Sequence, residues 1–193
     1  MRDKLKVLGI AGSPRRGGNT DLLLAEVLKG AASKGAEVKT IILNELKITP
    51  CQHCDACLEA GNCRIQDDMQ MIYQELEKAD RIVLASPIQF MSVTAQMKAM
   101  IDRCQALWAR KYVLNRPPLG VKERKGMLIA VGGTKFKNLF EPAQATVRAL
   151  FNTLNITYDG ELLFRGVDEK GAITQHPDAL KQAFEAGQKL VKE

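Results

Sequence analysis

Short apolar runs alternate along the chain with longer stretches whose apolar residues recur at helical spacing. The runs Leu5–Ala11, Val38–Leu43, Arg81–Ala85, Met127–Val131 and Ile156–Leu163 predict five strands. Leu5–Ala11, Arg81–Ala85 and Met127–Val131 are almost continuously apolar and suit central parallel strands buried on both faces. The more mixed Val38–Leu43 and Ile156–Leu163 suit the edges. Leu24, Val27, Leu28 and Ala31 form a helical stripe after an expected cap at Thr20. Asp67 is expected to cap a second helix through Leu76, with Asp68 favourably placed in its first turn. Met97, Met100, Ile101, Cys104 and Trp108 make a third stripe, Val147, Leu150, Phe151 and Leu154 a fourth, and Leu180, Ala183, Phe184 and Val191 a fifth. This alternation predicts βαβ units, hence an α/β fold with helices on both faces of a parallel sheet. Right-handed crossovers and five strands rather than six predict the strand order 2-1-3-4-5.

Two connections are long, Asn44–Gln66 and Ala109–Arg124, and long ordered loops in compact domains tend to be functional. The 193 residues read as a single domain, 1–193, with residues 44–66 inserted after strand 2 as a cysteine-rich loop. The composition, 46% hydrophobic and 26% charged, is ordinary for a soluble globular protein. No apolar run approaches a membrane span, and Met1–Lys6 enters the first strand without a signal-peptide apolar region. A cytoplasmic protein with no membrane partner is therefore expected. The net charge of +6 is uneven. Arg110, Lys111, Arg116, Lys122, Arg124 and Lys125 stand against Glu123 alone, a run that reads as solvated surface or as a docking face for an acidic partner. With 5% aromatic residues and neither a stacking platform nor zinc-finger spacing, nucleic acid is not an expected partner.

The first strand runs into Gly12-Ser13-Pro14-Arg15-Arg16-Gly17-Gly18-Asn19-Thr20. Its glycines allow tight turns and close backbone approach, Ser13, Asn19 and Thr20 offer donors, and Arg15 or Arg16 can supply charge. The following helix N-terminus adds oriented N–H groups and a positive dipole end, at the position where open α/β sheets bind ligands. Together these suit a phosphomonoester dianion. Neither G-x-x-x-x-G-K-[ST] nor G-x-G-x-x-G is present. The plainer alternative is a glycine-rich turn that begins a helix.

The run G-S-P-R-x-G-G-N-T at Gly12–Thr20 resembles the FMN-phosphate loop of the NAD(P)H-dependent FMN reductase and flavodoxin-like family. A second run, A-D-R-I-V-L-A-S-P-I-Q-F-M-S-V-T-A-Q-M-K at Ala79–Lys98, resembles that family's third strand and isoalloxazine loop. The resemblance covers most of the chain and implies a flavodoxin-like three-layer sandwich that binds FMN. It implies cofactor contacts at Ser13, Arg15, Gly18, Asn19 and Thr20 for the phosphate, and at Pro87, Ile88, Gln89, Phe90 and Met91 for the flavin ring. Gly132, Gly133 and Thr134 would cover the ring's other side. Relatives commonly read S-P-[VI]-Y-F, and this chain has Gln89 in place of the tyrosine. Backbone contacts survive that change; an aromatic contact to flavin or to a neighbouring subunit does not.

Four of the five cysteines, Cys51, Cys54, Cys57 and Cys63, form C-x2-C-x2-C-x5-C. A turning backbone with this spacing presents successive sulfurs to neighbouring irons of one cubane, and Gly61 eases the reversal that returns Cys63. Three alternatives stand beside an iron–sulfur cluster. Zinc sites usually show two separated ligand pairs, free thiols need no metal, and a redox disulfide seldom uses three thiols in a row. A structural disulfide framework is not expected in a cytosolic chain. Joined to the flavin loops, this spacing and the junction C-x-x-x-D-D-M at Cys63–Met69 resemble the iron–sulfur flavoprotein family. That resemblance implies one [4Fe–4S] cluster per chain on Cys51, Cys54, Cys57 and Cys63, a homodimer or homotetramer, and ferredoxin or another acidic electron carrier as donor.

The function expected is an oxidoreductase that passes electrons from a ferredoxin-type donor through the cluster to FMN and on to an acceptor. The alternative is a cluster-free NAD(P)H-dependent FMN or quinone reductase. No catalytic nucleophile or base is assigned. Cys104 reads as core, His53 and His176 as loop residues, and Asp102-Arg103 as a surface ion pair or an interface contact.

Overall fold

Alternate residues along the central strands point to opposite faces, and their apolar character on both faces calls for helices above and below. The computed structural model, which describes residues 4–116 and 123–192, has that arrangement. Strands β1 (Lys6–Ala11), β2 (Glu37–Ile42), β3 (Arg81–Pro87), β4 (Lys125–Gly132) and β5 (Thr157–Arg165) form one sheet in the order β2-β1-β3-β4-β5. Every pairing is parallel. The fold is α/β and flavodoxin-like. Its helices are α1 (Asn19–Ala32), α2 (Ala56–Ala60), α3 (Met69–Lys78), α4 (Ala95–Arg103), α5 (Gln105–Tyr112), α6 (Glu141–Thr153) and α7 (Ala179–Leu190).

Leu8, Ile10, Ile82, Leu84 and Leu128 face one layer with α3, α4, α5 and α6. Val7, Ala11, Val83, Met127 and Ile129 face the other with α1 and α7. The α1–α7 contact is made backbone against backbone. A Cβ on Gly30 would lie 2.0 Å from the Phe184 carbonyl oxygen, and one on Gly187 would lie 1.9 Å from that of Val27. Small residues therefore govern a helix whose stripe, read for bulk, pointed to Leu180 and Phe184; the buried positions are Ala179, Ala183, Gly187 and Leu190.

Four local expectations are corrected. Asp68, not Asp67, stands at the N-cap of α3, although Asp67 Oδ1 accepts from the Met69 amide at 3.1 Å. Gly18, not Thr20, stands at the N-cap of α1, and Thr20 lies buried inside the first turn. The stripe from Met97 to Trp108 is carried by two helices that meet at Cys104. The basic run does not form one face. Arg124 is 6% exposed and donates to the carbonyls of Ala79 and Leu154 at 2.9 Å each, and to that of Leu76, where α3 and α6 end. Carbonyls at helix C-termini favour a cation, which draws this side chain inward. Arg110 pairs with Glu77 at 2.6 Å and Lys125 with Glu123 at 3.6 Å. Lys122 lies outside the described residues.

Candidate functional site

At the carboxyl ends of the strands, where the chain order reverses, a cleft opens between three loops. The first follows β1. Ser13 Oγ accepts from the Arg15 amide and donates to the Arg15 carbonyl, both at 3.1 Å, and the Gly18 amide closes on that carbonyl at 3.2 Å. Gly17 sits at φ +64°, and a Cβ on Gly18 would approach the Arg15 oxygen to 3.0 Å, so the loop needs glycine at both. No side chain caps α1, whose N-terminal N–H groups open at this loop. Arg16 is engaged by Asp21 at 3.2 Å and Glu45 at 3.1 Å. Arg15 lines the cleft and has no ion pair among the described residues, so of the two arginines it is the one free to meet an anion. Burial pushes the Asp21 carboxyl above its ordinary range, although the Gly17 amide and Arg16 act against this.

The second loop follows β3. The Ile88 amide donates to the Val131 carbonyl at 2.8 Å, which joins this loop to the end of β4. Thr94 caps α4, donates to the Gly12 carbonyl at 2.6 Å and, through its amide, to Ser86 Oγ at 3.0 Å; this ties the first loop to the second. Gln89 and Ser92 exchange backbone hydrogen bonds at 2.9 and 3.0 Å around Phe90 and Met91, both left-handed at φ +47° and +65°. A two-residue turn with both central φ positive normally uses Asn-Gly. Non-glycine residues in that region cost about 1–3 kcal/mol each. Phe90 is 104% exposed.

The third loop, Gly166–Gly171, was not anticipated. The Asn19 side chain donates to the Glu169 carbonyl at 2.9 Å and accepts from the Ile173 amide at 3.2 Å. The Val167 amide donates to the Gly132 carbonyl at 3.1 Å and the Gly166 amide to that of Thr134 at 3.2 Å. These bonds lay Val167, Asp168 and Lys170 along the cleft. A Cβ on Gly133 would meet the Asp168 side chain at 2.9 Å. The cleft thus gathers Ser13, Arg15, Gly18, Asn19 and Thr20 with Pro87, Ile88, Gln89 and Gly133. Phe90, Met91, Gly132 and Thr134 do not line it. Gly132 and Thr134 act on it through backbone bonds to the third loop, and Asn19's side-chain amide is engaged by that loop. Asp168 and Lys170 sit in no motif; the flanking Gly166 and Gly171, both at positive φ, were the available signal.

A second recess lies over the C-terminal end of α4. Cys51, Cys54, Cys57 and Cys63 all line it, together with Arg103. His53 and Asp55, on either side of Cys54, are left-handed at φ +50° and +57°, which turns the chain between successive thiols. Gly61 ends α2 at φ +74° with its amide on the Cys57 carbonyl at 2.9 Å, the reversal that returns Cys63. Burial pushes the Cys57 thiol up, and charge on Cys63, Cys51 and Cys54 pushes the same way, against partial relief from the local backbone. All four are free thiols. Among the described residues no three His, Cys, Asp or Glu side chains are grouped to hold a single metal ion. Four thiols lining one recess are a donor set that fits a cluster whose irons take one thiolate each.

Asp102 pairs with Lys98 at 2.8 Å on the surface, whereas Arg103 turns inward onto Asp67 at 2.7 Å. Arg110 holds the same segment from outside, through the Gly61 carbonyl at 3.2 Å and Asn62 at 2.7 Å. Cys104 is buried in the core and its thiol is pushed up to about 12 by burial, as an inert packing residue should be. His53 and His176 are exposed.

Residues 5–158 match the family model described as NADPH-dependent FMN reductase. An iron-sulfur flavoprotein of Archaeoglobus fulgidus is 45% identical over 129 residues, which are 67% of this chain and 63% of that protein. The matched stretch is thus less than two thirds of that relative's length. An iron-sulfur flavoprotein of Methanosarcina thermophila is 30% identical over 173 residues, covering 90% of this chain and 84% of that protein. Among solved structures, an NAD(P)H:quinone oxidoreductase from Methanothermobacter marburgensis superposes with a TM-score of 0.73 at 16% identity, covering 99% of this chain and 98% of that chain. Among the described residues no helix is long and apolar enough to cross a membrane.

Proposed function

The chain belongs to the NADPH-dependent FMN reductase family, in its iron–sulfur flavoprotein branch, and from that premise we propose that it takes electrons from a ferredoxin-type donor onto a cysteine-held [4Fe–4S] cluster and delivers them by way of FMN to an acceptor. The observation that carries the cluster half is the convergence of Cys51, Cys54, Cys57 and Cys63 on one recess. When bound, FMN supplies one- and two-electron chemistry and the cluster one-electron chemistry. The chain's own residues bind and orient. The first-loop amides, the α1 N-terminus and Arg15 would hold the phosphate, with Lys170 as a second cation from the third loop. Pro87, Ile88, Gln89 and Gly133 all line the cleft and would hold the flavin ring. A homodimer or homotetramer is part of this proposal, with the neighbouring exposed rings of Trp108 and Tyr112 on α5, centroids 5.7 Å apart, as a candidate contact.

Serine at all four of Cys51, Cys54, Cys57 and Cys63 tests the relay. FMN should remain bound while reduction by reduced ferredoxin is lost. Reduction at the wild-type rate would remove the cluster from the route.

A second reading, a cluster-free NAD(P)H-dependent FMN or quinone reductase, is favoured by one observation: the FMN cleft contains none of the four cysteines. It predicts rapid flavin bleaching by NADPH or NADH that is unchanged in the serine variant.

A further inference from the structure

An arginine side chain has five N–H donors, and four of those on Arg103 hold the cysteine segment. Nη1 donates to the Thr49 carbonyl and to Asp67 Oδ2, both at 2.7 Å. Nη2 donates to the Ile65 carbonyl at 3.2 Å and to Asp67 Oδ1 at 3.1 Å. Thr49 precedes the first of the four cysteines and Ile65 follows the last, so one guanidinium ties both ends of the segment. Asp67 Oδ2 also accepts from the Thr49 amide at 2.8 Å, which closes the ring. From the other side, Tyr73 OH donates to the Arg103 carbonyl at 2.6 Å.

The Arg103 side chain is 0% exposed and forms part of the recess wall beside the four sulfurs. Its fifth donor, Nε–H, is buried and makes no aligned hydrogen bond among the described residues, while the Cys63 sulfur already interacts with the guanidinium. A buried N–H without an acceptor is unfavourable, and a group held by the cysteines would bring sulfur acceptors to this wall.

We propose that Arg103 is the positioning residue of the cysteine recess: four of its donors set the shape of the segment from Thr49 to Asp67, and the fifth is held for a sulfur of the group that the cysteines bind. The role of the fifth donor rests on the iron–sulfur reading; the shaping role does not. A hydrogen bond from a fixed cation favours the more negative, reduced state of a cluster and so raises its reduction potential. Lysine cannot replace Arg103 here. It keeps the charge but lacks the planar fork that spans two carbonyls and a carboxylate, and it has no Nε–H.

The test compares Arg103→Lys, Arg103→Gln and Arg110→Gln with wild type, each purified anaerobically as holoprotein. Amide hydrogen exchange reads the shape of residues 49–67, iron per FMN reads retention, and an EPR-monitored titration reads the potential. Both Arg103 variants should keep FMN, exchange faster across residues 49–67, and hold iron about tenfold or more weakly against a chelator. Their residual cluster should titrate at lower potential. Arg110→Gln, which loosens the segment only around residues 61–62, should leave the potential unchanged. Wild-type exchange in Arg103→Lys overturns the proposal, as does a potential that moves as far in Arg110→Gln. Loss of FMN together with iron in both Arg103 variants marks a general folding role and overturns it too. Wild-type protein that takes up no iron defeats the cluster reading and the role of Nε, while the exchange comparison still decides the shaping role.

Discussion

The Asn19 side chain donates to the Glu169 carbonyl at 2.9 Å, a bond between the start of α1 and a loop 150 residues further on. Its other end accepts from the Ile173 amide, so a residue that would pass for a phosphate ligand is a latch between two walls of the cleft. Asn19→Ala should therefore weaken FMN and riboflavin to a similar degree, by roughly 3- to 10-fold for a lost hydrogen bond or two. Fluorescence titration with both ligands reads this. A loss confined to FMN would assign Asn19 to the phosphate instead.

Lys170 is expected to behave in the opposite way. It lines the cleft from the latched loop and lies within electrostatic reach of Asp21 in the first turn of α1. Lys170→Ala should weaken FMN by about 5- to 20-fold, as for one charge-assisted contact, and leave riboflavin unchanged. Raising the salt concentration should shrink the difference. Equal losses for both ligands would contradict a phosphate contact.

The Phe90–Met91 turn stores strain with no packing at Phe90 to offset it. Phe90→Gly should stabilise the folded protein by about 1 kcal/mol, a rise in Tm of roughly 2–4 °C. Unchanged or lowered Tm would show that the turn is not strained in solution. By contrast, Gly187→Ala drives a methyl into the Val27 carbonyl and should cost about 2 kcal/mol or more. Chemical denaturation of the two variants side by side measures both signs.

Asp67 sets the acid limit of the cysteine segment. Burial pushes its carboxyl up, but hydrogen bonds from Arg103, Thr49 and Met69 outweigh that and hold it below the ordinary carboxylate range. A carboxyl whose pKa is lower folded than unfolded contributes stability that is fully present above the unfolded value of about 4. That contribution is lost as pH falls through the folded value. Stability of the wild type should fall more steeply than that of Asp67→Asn below about pH 4. Parallel curves would contradict the linkage.

The sheet was legible because burial on both faces leaves its mark in every central strand, as in Arg81–Ala85 and Met127–Val131. That the loop after β1, the loop after β3 and the four cysteines line recesses was legible because each is a local motif. What escaped is tertiary. Apolar spacing continues from Met97 through Cys104 to Trp108, so periodicity does not register that one helix ends and another begins there. Arg124 read as surface charge because its acceptors are the carbonyls of Leu76, Ala79 and Leu154, distant in the chain. Arg103 looked equivalent to Asp102, yet the helix turns one outward to Lys98 and the other inward to Asp67. Asp168 and Lys170 reach the cleft only through the bonds that Asn19, Gly132 and Thr134 make with their loop.

The most direct measurement is iron and acid-labile sulfide per FMN in protein purified, or reconstituted, without oxygen. The relay predicts about four irons and four sulfides for each FMN, lost together when Cys51, Cys54, Cys57 and Cys63 become serine. Stoichiometric FMN with no iron after anaerobic reconstitution would contradict it and leave a flavin reductase whose four cysteines carry no cluster.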